Sequence, residues 1–191
     1  MSTTGKYGHE LVDEFVQYLN GRGFEPRNPD EVPGELRTEK AEYDCYGWQI
    51  LRAGPNPWID DAIARLPKKL PTTYIYLLQN YRFRNFEVGP IMFFGNTGQD
   101  LYYEFSRKAF ADNGLYPTMH KNGFLQFGNP FESNYDPICF DMKREHRGDA
   151  PIVQLDHEDT LIRERIRVVE EIAPSFSDFM QRAISEKMKV S

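Results

Sequence analysis

Apolar residues recur along the chain with two spacings, one typical of helices and one typical of strands. Between Gly8 and Gly23 they recur every three or four positions, which predicts an amphipathic helix. Its buried side would be formed by Leu11, Val12, Phe15, Val16 and Leu19. A second helix is predicted after Asn56-Pro57, where an asparagine cap precedes a proline at the first helical position.

A third helix is predicted after Leu70-Pro71, because four apolar residues there lie at positions i, i+3, i+4 and i+7. These residues are Tyr74, Leu77, Leu78 and Tyr81. Two further stretches favour short helices, 101–110, for which a strand is the alternative, and 115–121. The stretch 82–89 between these elements is predicted to be a turn.

Short runs rich in β-branched and aromatic residues predict strands. The runs are Tyr43–Ala53, Pro90–Phe94, Phe124–Phe127, Pro137–Met142 and Pro151–Leu155. The connector 143–150 between the last two is polar and contains a glycine, which indicates an exposed loop.

Two helices are predicted at the C-terminal end of the chain. The first spans Thr160–Ile172, with an apolar stripe formed by Ile162, Ile166 and Val169. The second follows Ser175, which together with Asp178 matches a capping box. Closely spaced strands flanked by helices indicate an α+β fold rather than a doubly wound sheet.

Length, charge and cysteine content narrow the class of protein. The 191 residues suit one domain, and the net charge of −6 argues against nucleic-acid binding, which needs a basic surface. No apolar run is long enough to span a membrane, and Met1–Lys6 does not begin a signal peptide. Cys45 and Cys139 form no disulfide framework, so a reduced, cytoplasmic protein is expected.

The negative charge is concentrated between Glu132 and Asp159, where eight acids face three bases and carry −5 of the net −6. An acidic surface attracts basic partners and repels nucleic acid and anionic lipid. The candidate partner-binding residues are Glu132, Tyr135, Asp136, Asp141, Glu145, Asp149, Asp156, Glu158 and Asp159. Phe131 and Tyr135 are candidate aromatic anchors, although Tyr135 would also suit the core.

Side-chain alternation refines this expectation. If Ile138 and Phe140 face the core, Cys139 and Asp141 face away from it. The same argument turns Asp156 away when Leu155 faces the core. Neighbouring strands would then place Asp141 and Asp156 on one polar face of the sheet.

Several stretches, taken in order, resemble the SUKH superfamily, the Smi/Knr-type cell-wall-regulator homologues. They are Leu70–Leu78, Phe127-Gly128 with Tyr135–Asp141, Pro151–Val153 with Asp156–Glu158, and Ile172–Phe179. The resemblance implies a single α+β domain over residues 1–191, with one mostly antiparallel sheet packed against helices. Residues 1–45 have no counterpart in it and are expected to form an N-terminal helical extension.

The same resemblance implies a function. Many bacterial members of the superfamily are cytosolic immunity proteins that bind a cognate toxin domain, often a nuclease, and other members are regulatory or scaffold proteins. The expectation is therefore a non-enzymatic protein that needs no cofactor or metal and uses its acidic face to neutralise a basic toxin domain. A regulatory scaffold that docks a host protein is the alternative.

Two enzymatic interpretations use the same residues. Metal ligands for a hydrolase would come from Asp136, Asp141, Asp156, His157 and Glu158. Against this, a solvated acidic face is the commoner outcome, with Asp156 or Asp159 capping the next helix. A nucleophilic Cys139 served by His157 or His146 is weaker still, since its apolar strand predicts a packed thiol.

Overall fold

Helices cover both faces of one large antiparallel sheet. The computed structural model describes residues 4–54, 56–66, 68–97, 114–131 and 135–191. The helices in these ranges are α1 Thr4–Arg22, α2 Pro57–Ala64, α3 Thr72–Asn80, α4 Tyr116–Lys121, α5 His157–Ile162 and α6 Phe176–Ser185. The predicted stretch 101–110 lies outside the described residues.

The strands fall into three sheets. They are β1 Arg37–Lys40, β2 Tyr46–Trp48, β3 Leu51–Arg52, β4 Tyr81–Arg82, β5 Phe86–Val88, β6 Ile91–Phe93, β7 Phe124–Pro130, β8 Ile138–Asp141, β9 Ile152–Leu155 and β10 Val168–Ala173. Strands β1 and β2 form one pair, and β3 and β4 form another. Strands β5 to β10 form a six-stranded sheet in which each strand pairs antiparallel with the next. The predicted α+β fold, with one antiparallel sheet against helices, is confirmed.

Alternation along the strands sends side chains to two hydrophobic clusters of unequal size. Phe140 lies opposite Ile152, and both belong to the main core with α1, α3 and α6. Cys139 lies opposite Val153, and both belong to a smaller cluster with Met119 of α4. Both faces of the β8–β9 hairpin are therefore covered.

Aromatic rings dominate the main core. The ring of Tyr74 on α3 lies within about 5.5 Å of the rings of Phe127, Phe140 and Phe176. Rings at such distances pack edge-on or tilted, which adds to the free energy gained by burying their area. The predicted apolar face of α3 is confirmed, since Tyr74, Leu77 and Leu78 are all fully buried.

Residues 1–45 contribute to this same core. Val12, Phe15 and Leu19 of α1 are fully buried in it, and α1 packs against α3 and α6. The connector after α1 contains short 3-10 turns and then β1, which pairs with β2. The helix predicted over Gly8–Gly23 is thus present and buries its predicted side.

For the C-terminal segment, one prediction from the sequence is wrong and another is confirmed. The helix predicted over Thr160–Ile172 is wrong, because α5 ends at Ile162 and the chain then forms β10 along β9. The β-branched residues of Val168–Ala173 suit a strand, and pairing with β9 decides between the two structures. The cap at Ser175 is confirmed, since its Oγ accepts a hydrogen bond from the Asp178 N–H at 2.9 Å.

Two other boundaries differ from the prediction. The predicted strand Tyr43–Ala53 is divided into β2 and β3, which pair with different strands. The predicted turn at 82–89 contains β5, an edge strand of the large sheet. Neither segment has a regular alternation of apolar and polar residues. Long-range strand pairing, rather than the local pattern, therefore determines where these strands begin and end.

Candidate functional site

An aspartate and a histidine form a fixed pair at the end of the sheet where β8 begins and β9 ends. Asp136 precedes β8, and His157 is the first residue of α5. Asp136 Oδ1 lies 2.6 Å from His157 Nδ1 and accepts a second bond from the His157 backbone N–H at 3.0 Å. Asp136 Oδ2 accepts from Gln154 Nε2 at 3.0 Å. These bonds attach the loop before β8 to the start of α5.

The surroundings of Asp136 also determine the tautomer of the histidine. Burial acts to raise the pKa of Asp136, but the hydrogen bonds from His157 and Gln154 outweigh it and lower the pKa below its usual value. The carboxylate is therefore ionised at neutral pH and can only accept hydrogen bonds. It follows that His157 Nδ1 carries a proton and donates it in the hydrogen bond to Asp136 Oδ1.

An exposed aromatic side chain, Tyr135, lies beside this pair. Tyr135 is 81% exposed, and its ring meets the His157 ring edge-on with centroids 6.0 Å apart. Glu158 follows His157 and is exposed. We call Tyr135, His157 and Glu158 the aromatic loop surface. The other candidate anchor, Phe131, is about half exposed, and its contacts are with Pro90 and with Lys189, whose Nζ lies 5.9 Å from its ring centroid.

The two aspartates on either side of His157 and Glu158 bind arginines of the segment that follows α5. Asp156 is the N-cap of α5, accepts from the Asp159 N–H at 2.7 Å and pairs with Arg167. Asp159 is only 1% exposed and pairs with Arg163, with Arg165 at 3.0 Å and with Arg167 at 2.9 Å. The hydrogen bonds from Arg165 and Arg163 lower the pKa of Asp159. The negative charges of Asp156 and Asp159 are thus neutralised within the protein.

Other acids of the predicted surface hold turns and helix ends. Asp141 is buried and accepts from Arg144 Nε at 2.7 Å. Glu145 is exposed and accepts from the Gly148 N–H at 2.6 Å. Asp149 accepts from the backbone N–H groups of Phe176 and Ser177, the first residues of α6. Glu132, also predicted for this surface, lies outside the described residues.

The expected polar sheet face shared by Asp141 and Asp156 is wrong for two reasons. The face that carries Cys139 and Val153 is covered by the smaller apolar cluster. In addition, Asp141 pairs with Pro151 at one end of the hairpin, whereas Asp156 follows Leu155 at the other end. At roughly 3.3 Å per residue, the two aspartates are about 17 Å apart along the strand.

The chemistry proposed for Cys139 does not fit its position. Its Sγ lies 3.7 Å from Met119 Sδ inside the smaller cluster, and burial raises the pKa of the thiol well above its usual value. A thiol that stays protonated is a poor nucleophile. Within the described ranges, no group of three or more His, Cys, Asp or Glu side chains is placed to hold a metal ion.

Sequence reasoning placed Tyr135 and Asp136 in the site but did not pair Asp136 with His157, because their contact depends on how β8 and β9 meet. It also missed the arginines that neutralise Asp159. One signal for them was present, since Arg163, Arg165 and Arg167 recur with a period of two. That period is typical of extended chain and not of the helix predicted there.

Comparison with known proteins leaves the function to be argued from this geometry. No protein-family model matches the chain, and no curated protein matches it either. None of the helices in the described part of the chain combines the length and the apolar character needed to cross a lipid bilayer.

Proposed function

We propose that this protein is a non-enzymatic, cytoplasmic immunity protein that binds and neutralises a basic toxin domain through the aromatic loop surface. The observation that carries the proposal is Tyr135, a large aromatic side chain that is 81% exposed on a loop fixed by Asp136. Exposed aromatic residues held in place beforehand are frequent anchors of protein interfaces, because little conformational entropy is lost when they are buried.

Fixed geometry distinguishes this tyrosine from an ordinary exposed side chain. The residue after it, Asp136, accepts hydrogen bonds from Gln154 and from both the ring and the backbone of His157. The neighbouring ring of His157 limits the space available to Tyr135 on one side. A partner with a matching apolar pocket would bury the tyrosine without first having to order the backbone at Asp136.

Charge supports a basic partner. Glu158 is exposed beside His157, and the structure gives it no ion pair with a described residue. The whole chain carries a net charge of −6. Nuclease toxins present basic surfaces to hold nucleic acid, so an acidic protein is steered towards them. The resemblance to the SUKH superfamily supplies the toxin as the class of partner.

Capture from the native cells at low and moderate salt tests the proposal. Tagged wild-type protein is expected to retain a basic toxin domain that Tyr135→Ala loses. Loss of an aromatic anchor costs about 2 kcal/mol or more, which is roughly a thirtyfold loss of affinity. Co-expression with the captured toxin should show the same order, with growth rescued by wild type and impaired with Tyr135→Ala.

Tyr43→Ala is the matched control, because Tyr43 is 92% exposed but lies in the connector before β2. It should bind and protect like wild type, and both variants should unfold at the wild-type temperature. Full protection by Tyr135→Ala would remove this surface from the proposal. Capture of host proteins with no toxin among them would favour the regulatory scaffold instead.

A further inference from the structure

The two edges of the large sheet differ. At one edge, β5 is covered by residues 189–191, with bonds from the Glu87 N–H to Ser191 O at 3.0 Å and from the Gly89 N–H to Lys189 O at 3.0 Å. At the other edge, β10 ends the sheet, and no described strand pairs with its outer side. An uncovered strand presents backbone donors and acceptors to any second strand.

Exposed apolar side chains lie on β10 itself and shortly before it in the chain. The described residues include seven large apolar side chains that are exposed, and four of them fall between residues 161 and 169. They are Leu161, Ile162, Val168 and Val169. Leu161 and Ile162 belong to α5, whereas Val168 and Val169 belong to β10, and we call these two valines the β10 edge patch. Clustered exposed apolar residues indicate an interaction surface, whereas scattered ones do not.

Basic residues precede the patch along the chain, and acidic residues follow it. Three arginines, at 163, 165 and 167, precede Val168, and their side chains are about 60% exposed. Glu170 and Glu171 follow Val169 and are exposed. In an antiparallel pair of such segments, Arg167 of each copy, the residue just before β10, can lie opposite Glu171 of the other. In a parallel pair, like charges would meet.

We propose that β10 is the interface between two copies of this chain, which pair antiparallel about a two-fold axis through Val169. Val169 then meets Val169 of the second copy, and Arg167 lies opposite Glu171 twice. Opposite charges placed directly across two strands stabilise the pair. The contact is isologous, so it closes as a dimer and does not extend into a fibre.

Other features of β10 favour this one arrangement. Its register with β9 shifts at two places, between Val168 and Glu170 and between Glu171 and Ala173. Such irregularities, with charged side chains, discourage pairing with an arbitrary strand. A segment that carries a base opposite Glu171 and an apolar residue opposite Glu170 escapes that repulsion, and a second copy supplies both, with Arg167 and Val168. Glu171 also pairs with Arg144 at 2.6 Å, which would join the new contacts to an existing ion pair.

Sedimentation analysis of the whole chain between about 1 and 200 µM tests the proposal. Wild type should pass from monomer to dimer in this range. Val169→Lys should remain monomeric, and Glu171→Arg should weaken dimerisation at least about tenfold, since it creates two like-charge contacts. Glu35→Arg, an exposed charge reversal in the connector after α1, should leave the dimer unchanged.

Mixing two variants gives the sharpest result. Arg167→Glu and Glu171→Arg should each dimerise more weakly than wild type when alone, but their mixture should form a heterodimer, because both cross-strand contacts again join opposite charges. Because Arg167 also binds Asp156 and Asp159, circular dichroism must first show wild-type helix and strand content. If Arg167→Glu does not fold, Val169→Lys and Glu171→Arg decide the matter.

A wild-type chain that stays monomeric at 200 µM overturns the proposal, and so does a dimer that Val169→Lys and Glu171→Arg leave intact. If the chain is monomeric and Val169→Lys weakens capture of a toxin domain, the edge binds a strand of that toxin and not a second copy. This result would also overturn self-pairing, whatever Tyr135 contributes to toxin binding.

Discussion

Aspartates and glutamates of the same acidic window have different fates in the folded chain. Five aspartates, at 136, 141, 149, 156 and 159, each accept hydrogen bonds from the protein itself. The two described glutamates, Glu145 and Glu158, are exposed, although Glu145 accepts a hydrogen bond from the Gly148 N–H. A short side chain reaches nearby backbone N–H groups and caps turns and helices more readily than a longer one, which extends further into solvent.

This difference changes the meaning of the charge count. Eight acids against three bases between Glu132 and Asp159 suggest a strongly negative surface. However, Arg163, Arg165 and Arg167 lie just beyond that window and bind Asp156 and Asp159. Of the described acids in the window, Glu158 is best placed to meet a partner, because it lies beside the exposed Tyr135 and His157. We therefore expect the aspartates to stabilise the fold and Glu158 not to.

The largest effect is expected for Asp159→Ala. This substitution removes a carboxylate that is 1% exposed and leaves three arginines facing one another without their shared partner. Thermal unfolding should show the largest drop in melting temperature of the substitutions compared here. Glu158→Ala is the matched control, an exposed acid one residue away, and should change the free energy of unfolding by less than about 0.5 kcal/mol. Equal melting temperatures for the two variants would show that the arginine cluster does not stabilise the fold.

A smaller loss is expected for Asp149→Ala. The carboxylate accepts from the N–H groups of Phe176 and Ser177, which have no partner within α6. Losing a cap of this kind costs about 1 to 2 kcal/mol of stability. Urea denaturation should show this loss, and Asp149→Asn should recover part of it because the amide keeps one acceptor oxygen. An asparagine variant no better than the alanine variant would point to charge rather than hydrogen bonding as the source.

The smallest effect is the pH dependence contributed by Asp136. Its pKa is lower in the folded protein than in the unfolded chain, so the ionised carboxylate stabilises the fold above the unfolded pKa of about 3.9. That contribution is lost as the pH falls through the lower, folded pKa. Urea denaturation at pH 6 and pH 3 should show wild type more stable than Asp136→Asn at pH 6, with the difference reduced at pH 3. A difference independent of pH would mean that ionisation of Asp136 does not stabilise the fold.

Local pattern was sufficient for the elements whose caps and apolar faces agree. Helix α1, the buried face of α3, the cap at Ser175 and the strands β8 and β9 were all predicted from spacing and residue type. Segments in which the local pattern was ambiguous were predicted wrongly. The residues of β10 have apolar spacing compatible with a helix, but their pairing with β9 makes them a strand.

The sequence alone determined the α+β class and most helix boundaries, and it marked Tyr135 and Asp136 as candidate partner-binding residues. These inferences depend on local periodicity and residue type. The tertiary structure decided which acids remain available to a partner. It joined Asp136 to His157 and surrounded Asp159 with arginines, and it placed β10 at a sheet edge where no described strand lies beyond it. These outcomes depend on which strands become neighbours, and strand pairing joins residues whose separation along the chain no local pattern records.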